Sequence, residues 1–463
     1  MSEKQSMMDV INPMNGEKIK SIPRGSKKEA IAAVDAASES LKEWSERTAY
    51  ERSELLLRWH ELINEEMEDL ARTMTMEQGK PLKEAKGEIA YANSFISWYA
   101  EEGKRVYGET IPASARNKRI VVQKQPVGVI AAITPWNFPA AMITRKVGPA
   151  LAAGCTAVVK PASATPLTAI KLGELAYKAG IPKGVLTILP GDSGEISDAW
   201  MEDSRVRKIS FTGSTEVGKI LMRKSADTMK KISLELGGHA PLIVMDDADL
   251  DKAVEGAVGS KFRNAGQTCV CSNRIYVHED IVDAFNEKFK QKVSQLKVGN
   301  GLDEGVDIGP LIDKEAYKKV NRHIKDALDQ GAELVCGGNS YEEGNGLFVE
   351  PTILTNITED MLCMNEETFG PLAPVSTFRT EEEAIERANH SPFGLAAYLF
   401  TENISKAVRI SEKLEFGIVG INDGLPSTAQ APFGGFKESG IGREGGHHGI
   451  DEYLEVKYIS IGL

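Results

Sequence analysis

Cys269 lies in the segment KFRNAGQTCVCSNR, residues 261–274, where Gly266, Gln267 and Thr268 lead a turn into an apolar run. Glycine lets backbone approach a ligand closely, and turns lie at the surface, so a thiol placed there can be reached. A reachable thiol is a nucleophile for a carbonyl carbon, whereas a buried one is only a small apolar residue. A free thiol has a pKa near ~8.5 and is only a few per cent thiolate at neutral pH, so the chemistry also needs a base or a positive field.

Other segments supply groups of that kind. In ELGGH (235–239), Glu235 precedes a Gly-Gly turn and is flanked by Leu234 and Leu236. Apolar surroundings raise a carboxyl pKa, which suits base work near neutrality. In TPWNFP (134–139), Asn137 sits between bulky residues in a turn bounded by two prolines, where an asparagine can serve simply as a turn residue. FTGSTEVG (211–218) reads as strand, glycine turn and helix start, with Ser214 at a helix N-terminus that favours a pyrophosphate. It lacks the G-x-G-x-x-G spacing of the usual dinucleotide fingerprint. In KPASAT (160–165), Lys160 follows a strand end, where α/β sheets bind ligands. EETFGP (366–371) carries a carboxylate followed by an aromatic, and PFGGFKESGIGREGG (432–446) is a glycine-rich loop.

The elements that must position these groups follow from periodicity. Residues 28–106 read as helical, with Ile31, Val34, Ala37 and Leu41 recurring on one face and Leu55, Trp59, Leu62 and Ile63 on another. A β-rich stretch at 119–136 is broken at Gln125-Pro126. Strand-like pieces at 155–159, 185–189 and 207–211 then alternate with helical patterns at 139–152, 166–179 and 195–203. A second series from Leu242 supplies strands in PLIVM, NRIYVH, LFVEPTIL, APVSTF and AAYLF, and helices at 249–260, 281–296, 314–330, 381–389 and 404–413. Alternation of this kind implies βαβ units and parallel sheets. The alternating tail 452–461 reads as an added strand, which needs a partner edge. The expectation is two α/β domains joined by short crossings.

Composition narrows the function. A chain of 463 residues holds more than one domain at ~100–200 residues each. The net charge of −12, with dispersed basic residues, argues against nucleic acid and anionic membranes as partners. The N-terminus has no apolar signal segment, and the most apolar stretch, 127–160, is cut by Pro135, Asn137, Pro139, Arg145 and Lys146. Five cysteines without a regular framework point to a reducing cytoplasm. The seven histidines show no metal-ligand spacing, so no metal is expected.

Six of these motifs, all but KPASAT, occur along the chain in the order of the aldehyde dehydrogenase superfamily, which the sequence resembles over essentially its whole length. The resemblance implies an α/β fold with two Rossmann-like domains and a small β oligomerisation arm. Residues 1–106 and 127–236 would bind the cofactor, 237–440 would form the catalytic domain, and 107–126 with 441–463 the arm of a homodimer or homotetramer. Cys269 would be the nucleophile, forming a thiohemiacetal and then a thioester. Glu235 would be the general base for the thiol or the hydrolytic water, and Asn137 the oxyanion donor together with the Cys269 N–H. Thr134, Pro135, Trp136, Lys160, Ser163, Gly213, Ser214 and Val217 would bind the cofactor, with Glu367 and Phe369 holding the nicotinamide ribose and ring. NAD-preferring relatives commonly carry Glu three residues after the lysine; Ser163 here leaves Lys160 free to pair with a 2′-phosphate, so NADP is expected to be preferred over NAD.

Arg263, six residues before Cys269, and Arg145, eight after Asn137, suggest an anionic group on the far end of the substrate, since a guanidinium holds a carboxylate bidentately. Either could instead make a structural salt bridge. With Ser427 they match the carboxylate-binding set of the family's succinate-semialdehyde branch. That implies oxidation of succinate semialdehyde, with glutarate semialdehyde or another anionic aldehyde as the alternative, and a non-catalytic binding protein on the same fold as a third reading. Cys271 completes a Cys-x-Cys pair that in some members forms a reversible disulfide. It reads equally as a small buried neighbour, because residues two apart in a strand are near the limit of disulfide geometry.

Overall fold

The computed structural model describes residues 6–463. The expected helical region is four helices, Lys27–Glu46, Ala49–Glu65, Met67–Gln78 and Leu82–Glu102. The first two open with capping boxes, Ser26 with Glu29 and Thr48 with Glu51, which satisfy otherwise orphaned N–H groups.

These helices flank a six-stranded sheet. Its order is Gly440–Ile441, Lys231–Glu235, Val206–Thr212, Val129–Ile133, Thr156–Lys160 and Leu186–Ile188, parallel except for the first, short strand. Both faces are covered. Val129, Ala131 and Val158 pack with Ala30, Val34, Ala37 and Trp200 on one side. Ile130, Ala132, Ala157 and Val159 pack with Trp59, Phe95 and Val147 on the other. A strand buried on both faces reads as a continuous apolar run rather than an alternation, as Val129–Ile133 does.

From Val129–Ile133, the first parallel strand in the chain, the second and third run outward on one side and the fourth and fifth on the other. The direction of winding therefore reverses between Val129–Ile133 and Val206–Thr212. At such a switch point the loops after the two strands diverge and leave a crevice for a ligand.

A second sheet of seven strands runs Glu333–Cys336, Thr352–Thr355, Leu372–Phe378, Ser272–His278, Ala240–Val244, Ala396–Phe400 and Ile418–Ile421, parallel apart from its first strand. The stretch LFVEPTIL divides in two: Gly346–Val349 pairs with Ser340–Glu343, and Thr352–Thr355 enters the main sheet. Pro351, which has no N–H to give a ladder, stands at the break. The hairpin Met7–Ile11 with Lys18–Pro23 and the strands Lys231–Glu235 and Ile418–Ile421 carry too little periodicity to be read in advance.

Lys118–Pro126 pairs antiparallel with Leu454–Gly462 over nine residues, and Glu109–Ile111 adds a third strand. This ribbon exposes Val456 and Tyr458 at 69% and 61%. The chain after residue 440 is divided: Gly440–Ile441 edges the six-stranded sheet, the helix Gly446–Asp451 packs against Ala141–Ala153, and only Leu454–Gly462 joins the ribbon. Among the described residues no helix is long and apolar enough to cross a membrane, and no group of three or more His, Cys, Asp or Glu is placed to hold a metal ion.

Candidate active site

The crevice at the switch point is a cavity of about 510 Å³. Pro135, Trp136 and Asn137 enter it from the loop after the first parallel strand, Thr212, Gly213 and Ser214 from the fourth, and Leu236 and Gly237 from the fifth. Ile312, Ala316 and Lys319 and the run Glu367, Thr368 and Phe369 form the opposite wall. Cys269 lines this cavity and also a second one of about 50 Å³, which is walled by Tyr91, Phe138, Met142, Arg145, Arg263, Ser427 and Phe433. The thiol is the junction between them.

The turn that presents Cys269 is backbone-strained. Asn264, Ala265 and Gly266 all adopt left-handed conformations, with φ of 53°, 54° and 73°. Such a conformation costs a non-glycine residue ~1 kcal/mol or more and persists only where its surroundings over-determine it. Here the Asn264 side-chain amide donates to the carbonyls of Asn137 (3.0 Å) and Gln267 (3.1 Å), its oxygen accepts from Gln78 (3.0 Å), and its backbone N–H donates to Glu84 (2.8 Å). Glycine is required at two close approaches. A Cβ on Gly266 would stand 2.3 Å from the Gly370 oxygen, and one on Gly238 2.2 Å from the Cys269 oxygen. The Gly-Gly turn after Glu235 thus exists to let the two loops touch.

Burial pushes the Cys269 thiol up to about 12, with Arg145 opposing the shift and the Glu367 and Glu235 carboxylates adding to it. The resting sulfur is therefore protonated and needs a base. Glu235 ends its strand 3% exposed, and its Oε2 has no hydrogen-bond partner. It lines neither cavity, but its charge is felt at Cys269, and burial together with the nearby Glu444 raises its pKa well above the ordinary value. Glu367 is raised to about 7 by burial, against the hydrogen bond its Oε1 accepts from the Gly238 N–H at 3.0 Å.

Asn137 is buried beside the thiol. Its amide nitrogen donates to Gln267 O at 3.1 Å, and its side-chain oxygen accepts from Phe138 N at 3.1 Å. An amide NH₂ has two hydrogens, so one donor remains. Two charges unforeseen from the sequence hold this loop. Lys80 donates to Asn137 O at 2.8 Å and pairs with Glu88, whose Oε1 accepts from Ala140 N (2.9 Å) and Ala141 N (3.3 Å) at the start of helix Ala141–Ala153. Both side chains are 1% exposed. Glu88 on helix Leu82–Glu102 and Lys80 in the loop before it read as solvated charges until the fold buries them.

In the small cavity the structure brings Arg145, Arg263 and Ser427 together. Arg145 does make a salt bridge, at 2.7 Å to Glu444, and lies 3.9 Å over the Phe433 ring, yet it still walls the cavity. Burial opposes its charge, but Glu444 together with Tyr91, Glu235 and Cys269 outweighs it, so the guanidinium is held charged. The Nε atoms of Arg145 and Arg263 and the hydroxyl of Tyr91 are buried without hydrogen-bond partners, an arrangement that costs ~1–3 kcal/mol per group unless a ligand supplies acceptors. Tyr91 and Glu444 were not singled out from sequence; nothing local marks either.

Four expected cofactor residues lie outside the 510 Å³ cavity. Thr134 is buried behind it, and its Oγ1 has no partner. Lys160 donates to Ser193 Oγ at 2.5 Å and is lowered to about 8 by burial. Ser163 donates to Gly191 O at 3.3 Å. Val217 is 43% exposed on helix Thr215–Ser225, whose N-cap is Ser214. Trp136 and Phe369 meet edge to face at 5.7 Å, and Phe369 is itself left-handed at φ 55°. Cys271 lines neither cavity: its buried sulfur is 3.2 Å from Lys261 Nζ and donates to Lys261 O at 3.4 Å. A Cys269–Cys271 disulfide would require this loop to rearrange.

Comparison with known proteins agrees with the geometry. The sequence profile described as "Aldehyde dehydrogenase family" matches residues 1–459. The chain is 58% identical over 456 residues to the succinate-semialdehyde dehydrogenase [NADP(+)] GabD of Escherichia coli K12, covering 98% of this chain and 94% of that one. It is 57% identical over 454 residues to a glutarate-semialdehyde dehydrogenase of Pseudomonas putida KT2440, with the same coverage. The crystal structure of an E. coli NADP-dependent enzyme superposes with a TM-score of 0.98 at 57% identity, over 99% of this chain and 95% of that one. A thiol between the switch-point crevice and a small arginine-walled cavity, on this fold and at these identities, leaves one conclusion: the chain belongs to the aldehyde dehydrogenase family.

Proposed function

We propose that this protein oxidises succinate semialdehyde to succinate with NADP⁺, and less well with NAD⁺, through a thiohemiacetal and a thioester on Cys269. The observation that carries this reading is the position of Cys269 between the two cavities, with Arg145, Arg263 and Ser427 in the smaller. A chain of four carbons with a carboxylate at one end would put that carboxylate among those side chains and its aldehyde at the sulfur. The identity to GabD supports the same substrate.

Glu235 takes the thiol proton, directly or through water, as the sulfur attacks the carbonyl carbon. The free amide hydrogen of Asn137 and the Cys269 N–H receive the oxygen as it becomes an oxyanion, worth ~3–4 kcal/mol for fixed donors in such a site. When bound, the nicotinamide supplies the acceptor for the hydride that leaves the thiohemiacetal carbon. Glu235 gives the thiol proton up to solvent, then deprotonates the water that hydrolyses the thioester and passes that proton to the departing sulfur, returning the Cys269 thiol and releasing the acid.

The crevice suits the nicotinamide half of a dinucleotide. It lies at the switch point, the N–H end of helix Thr215–Ser225 closes one side, and the buried Glu367 carboxyl offers hydrogen-bonding oxygens for a sugar. Lys160, Ser163 and Ser193 would hold the adenosine end, where a 2′-phosphate meets a cation and two hydroxyls. Ser163→Glu should reverse the preference, lowering the NADP/NAD ratio of kcat/KM by about a hundredfold through like-charge repulsion; an unchanged ratio would place the discrimination elsewhere.

The substrate assignment is tested with Arg263→Met, which breaks no ion pair. The expected result is a ten- to roughly hundredfold drop in kcat/KM for succinate semialdehyde and none for butanal. Equal losses on both aldehydes would refute a carboxylate role. Glutarate semialdehyde is the second reading, favoured by the relative from P. putida. One methylene is worth ~1–3 kcal/mol in a confined site, so the two substrates compared side by side will separate. We assign the six-stranded sheet to cofactor binding, the seven-stranded sheet to catalysis, and the exposed ribbon Leu454–Gly462 to assembly as a homodimer or homotetramer.

A further inference from the structure

One short segment, residues 78–88, sends four polar side chains to the two loops that carry the site. It runs from the end of helix Met67–Gln78, through a left-handed turn at Gly79 (φ 97°), into helix Leu82–Glu102. On the loop before Cys269, Gln78 Nε2 donates to Asn264 Oδ1 at 3.0 Å, and Glu84 accepts from Asn264 N at 2.8 Å. On the loop after Val129–Ile133, Lys80 donates to Asn137 O, and Glu88 accepts from Ala140 N and Ala141 N. The four thus divide two and two. They are also tied to one another, because Gln78 Oε1 accepts from Lys80 N at 2.9 Å and Lys80 pairs with Glu88.

The two loops belong to different sheets, and each carries one of the donors assigned to the oxyanion. Asn137 keeps one amide hydrogen free, and the Cys269 N–H is donated to no group among the described residues. Such a site works only when both hydrogens converge on one oxygen, at ~2.7–3.1 Å from each donor. A misplacement of ~1 Å can cost ~10²-fold in rate. A buried ion pair often stabilises a fold no better than an apolar pair of similar volume. What Lys80 and Glu88 add is three hydrogen bonds to the loop that holds Asn137.

We propose that Gln78, Lys80, Glu84 and Glu88 are positioning residues that set the separation of the two oxyanion donors. Lys80 and Glu88 hold Asn137, while Gln78 and Glu84 hold the strained turn that presents Cys269. This rests on the reading of Asn137 and the Cys269 N–H as the oxyanion site. None of the four lines either cavity at Cys269, so the two loops are their route to the reaction.

The test is a single-turnover measurement of NADPH formation from succinate semialdehyde. Lys80 and Glu88 are replaced together, as Lys80→Met/Glu88→Leu, so that no buried charge is left unpaired. This variant should slow the step by about ten- to a hundredfold and keep NADPH affinity within about twofold. In an Asn137→Ala background the same replacement should cost no more than about twofold, because the donor it aims is gone. On the other loop, Glu84→Leu should slow the step about tenfold. Glu84→Gln, which retains an acceptor for the Asn264 N–H, should recover most of that loss, and this comparison serves if the paired replacement does not fold. An unchanged rate in Lys80→Met/Glu88→Leu, losses that multiply fully with Asn137→Ala, or equal losses in Glu84→Leu and Glu84→Gln would overturn the proposal. A wild-type rate in Asn137→Ala alone would instead remove the oxyanion reading beneath it.

Discussion

Cys269→Ala is expected to lower turnover of succinate semialdehyde by ~10⁴-fold or more, the scale of losing a nucleophile that acts as one unit with its base. NADPH affinity in the same variant should stay within about twofold, because the side chain is small and stands at the edge of the crevice. The size of the effect follows from the position of the sulfur. Among the described residues it alone lines both cavities, and without it the aldehyde has nothing to attack it while the arginines hold its other end. A variant that keeps a substantial rate would end the covalent mechanism, and with it the enzyme reading as stated.

Glu235→Gln should reduce steady-state turnover by about 10²- to 10⁴-fold, the range for a positioned general base. The pre-steady-state trace then tells which proton matters. A stoichiometric burst of NADPH followed by slow turnover would put Glu235 on the hydrolytic water; loss of the burst would put it on the thiol. The pH profile adds a second readout. The base works deprotonated, and burial with the Glu444 charge raises its pKa well above the ordinary carboxylate value, so activity should fall as pH drops through that raised pKa. In Glu235→Gln this limb should vanish. If it persisted unchanged, the titrating group would be another, for which Glu367, raised to about 7, is the nearest alternative.

Much of this was legible along the chain because it is local. The alternation of short apolar runs with helical periods is a property of neighbouring residues, and it marked the strands Val129–Ile133, Thr156–Lys160 and Val206–Thr212 within a few positions. The turn before Cys269, the Gly-Gly after Glu235 and the N-cap Ser214 were visible for the same reason: steric demands of the backbone select glycine and capping residues where they occur. Arg145, Arg263 and Ser427 could be named from the sequence, but that they share one small cavity could not be read from spacing alone.

What the tertiary structure decided is which distant charges meet out of water. Lys80 with Glu88, Arg145 with Glu444, and His323 between Glu366 and Thr368 are ordinary polar residues in sequence, three of them (Glu88, Arg145 and His323) on helices and the rest in loops. Packing places them at low exposure, where an unpaired charge is costly and a paired one is held in a single geometry. Periodicity states which side of a helix is buried; it does not state what it is buried against. The chain alone therefore determined the elements and the reactive thiol, whereas the charges that tune and aim that thiol were assigned by the fold, because electrostatic interactions depend on distance and dielectric rather than on position in the chain.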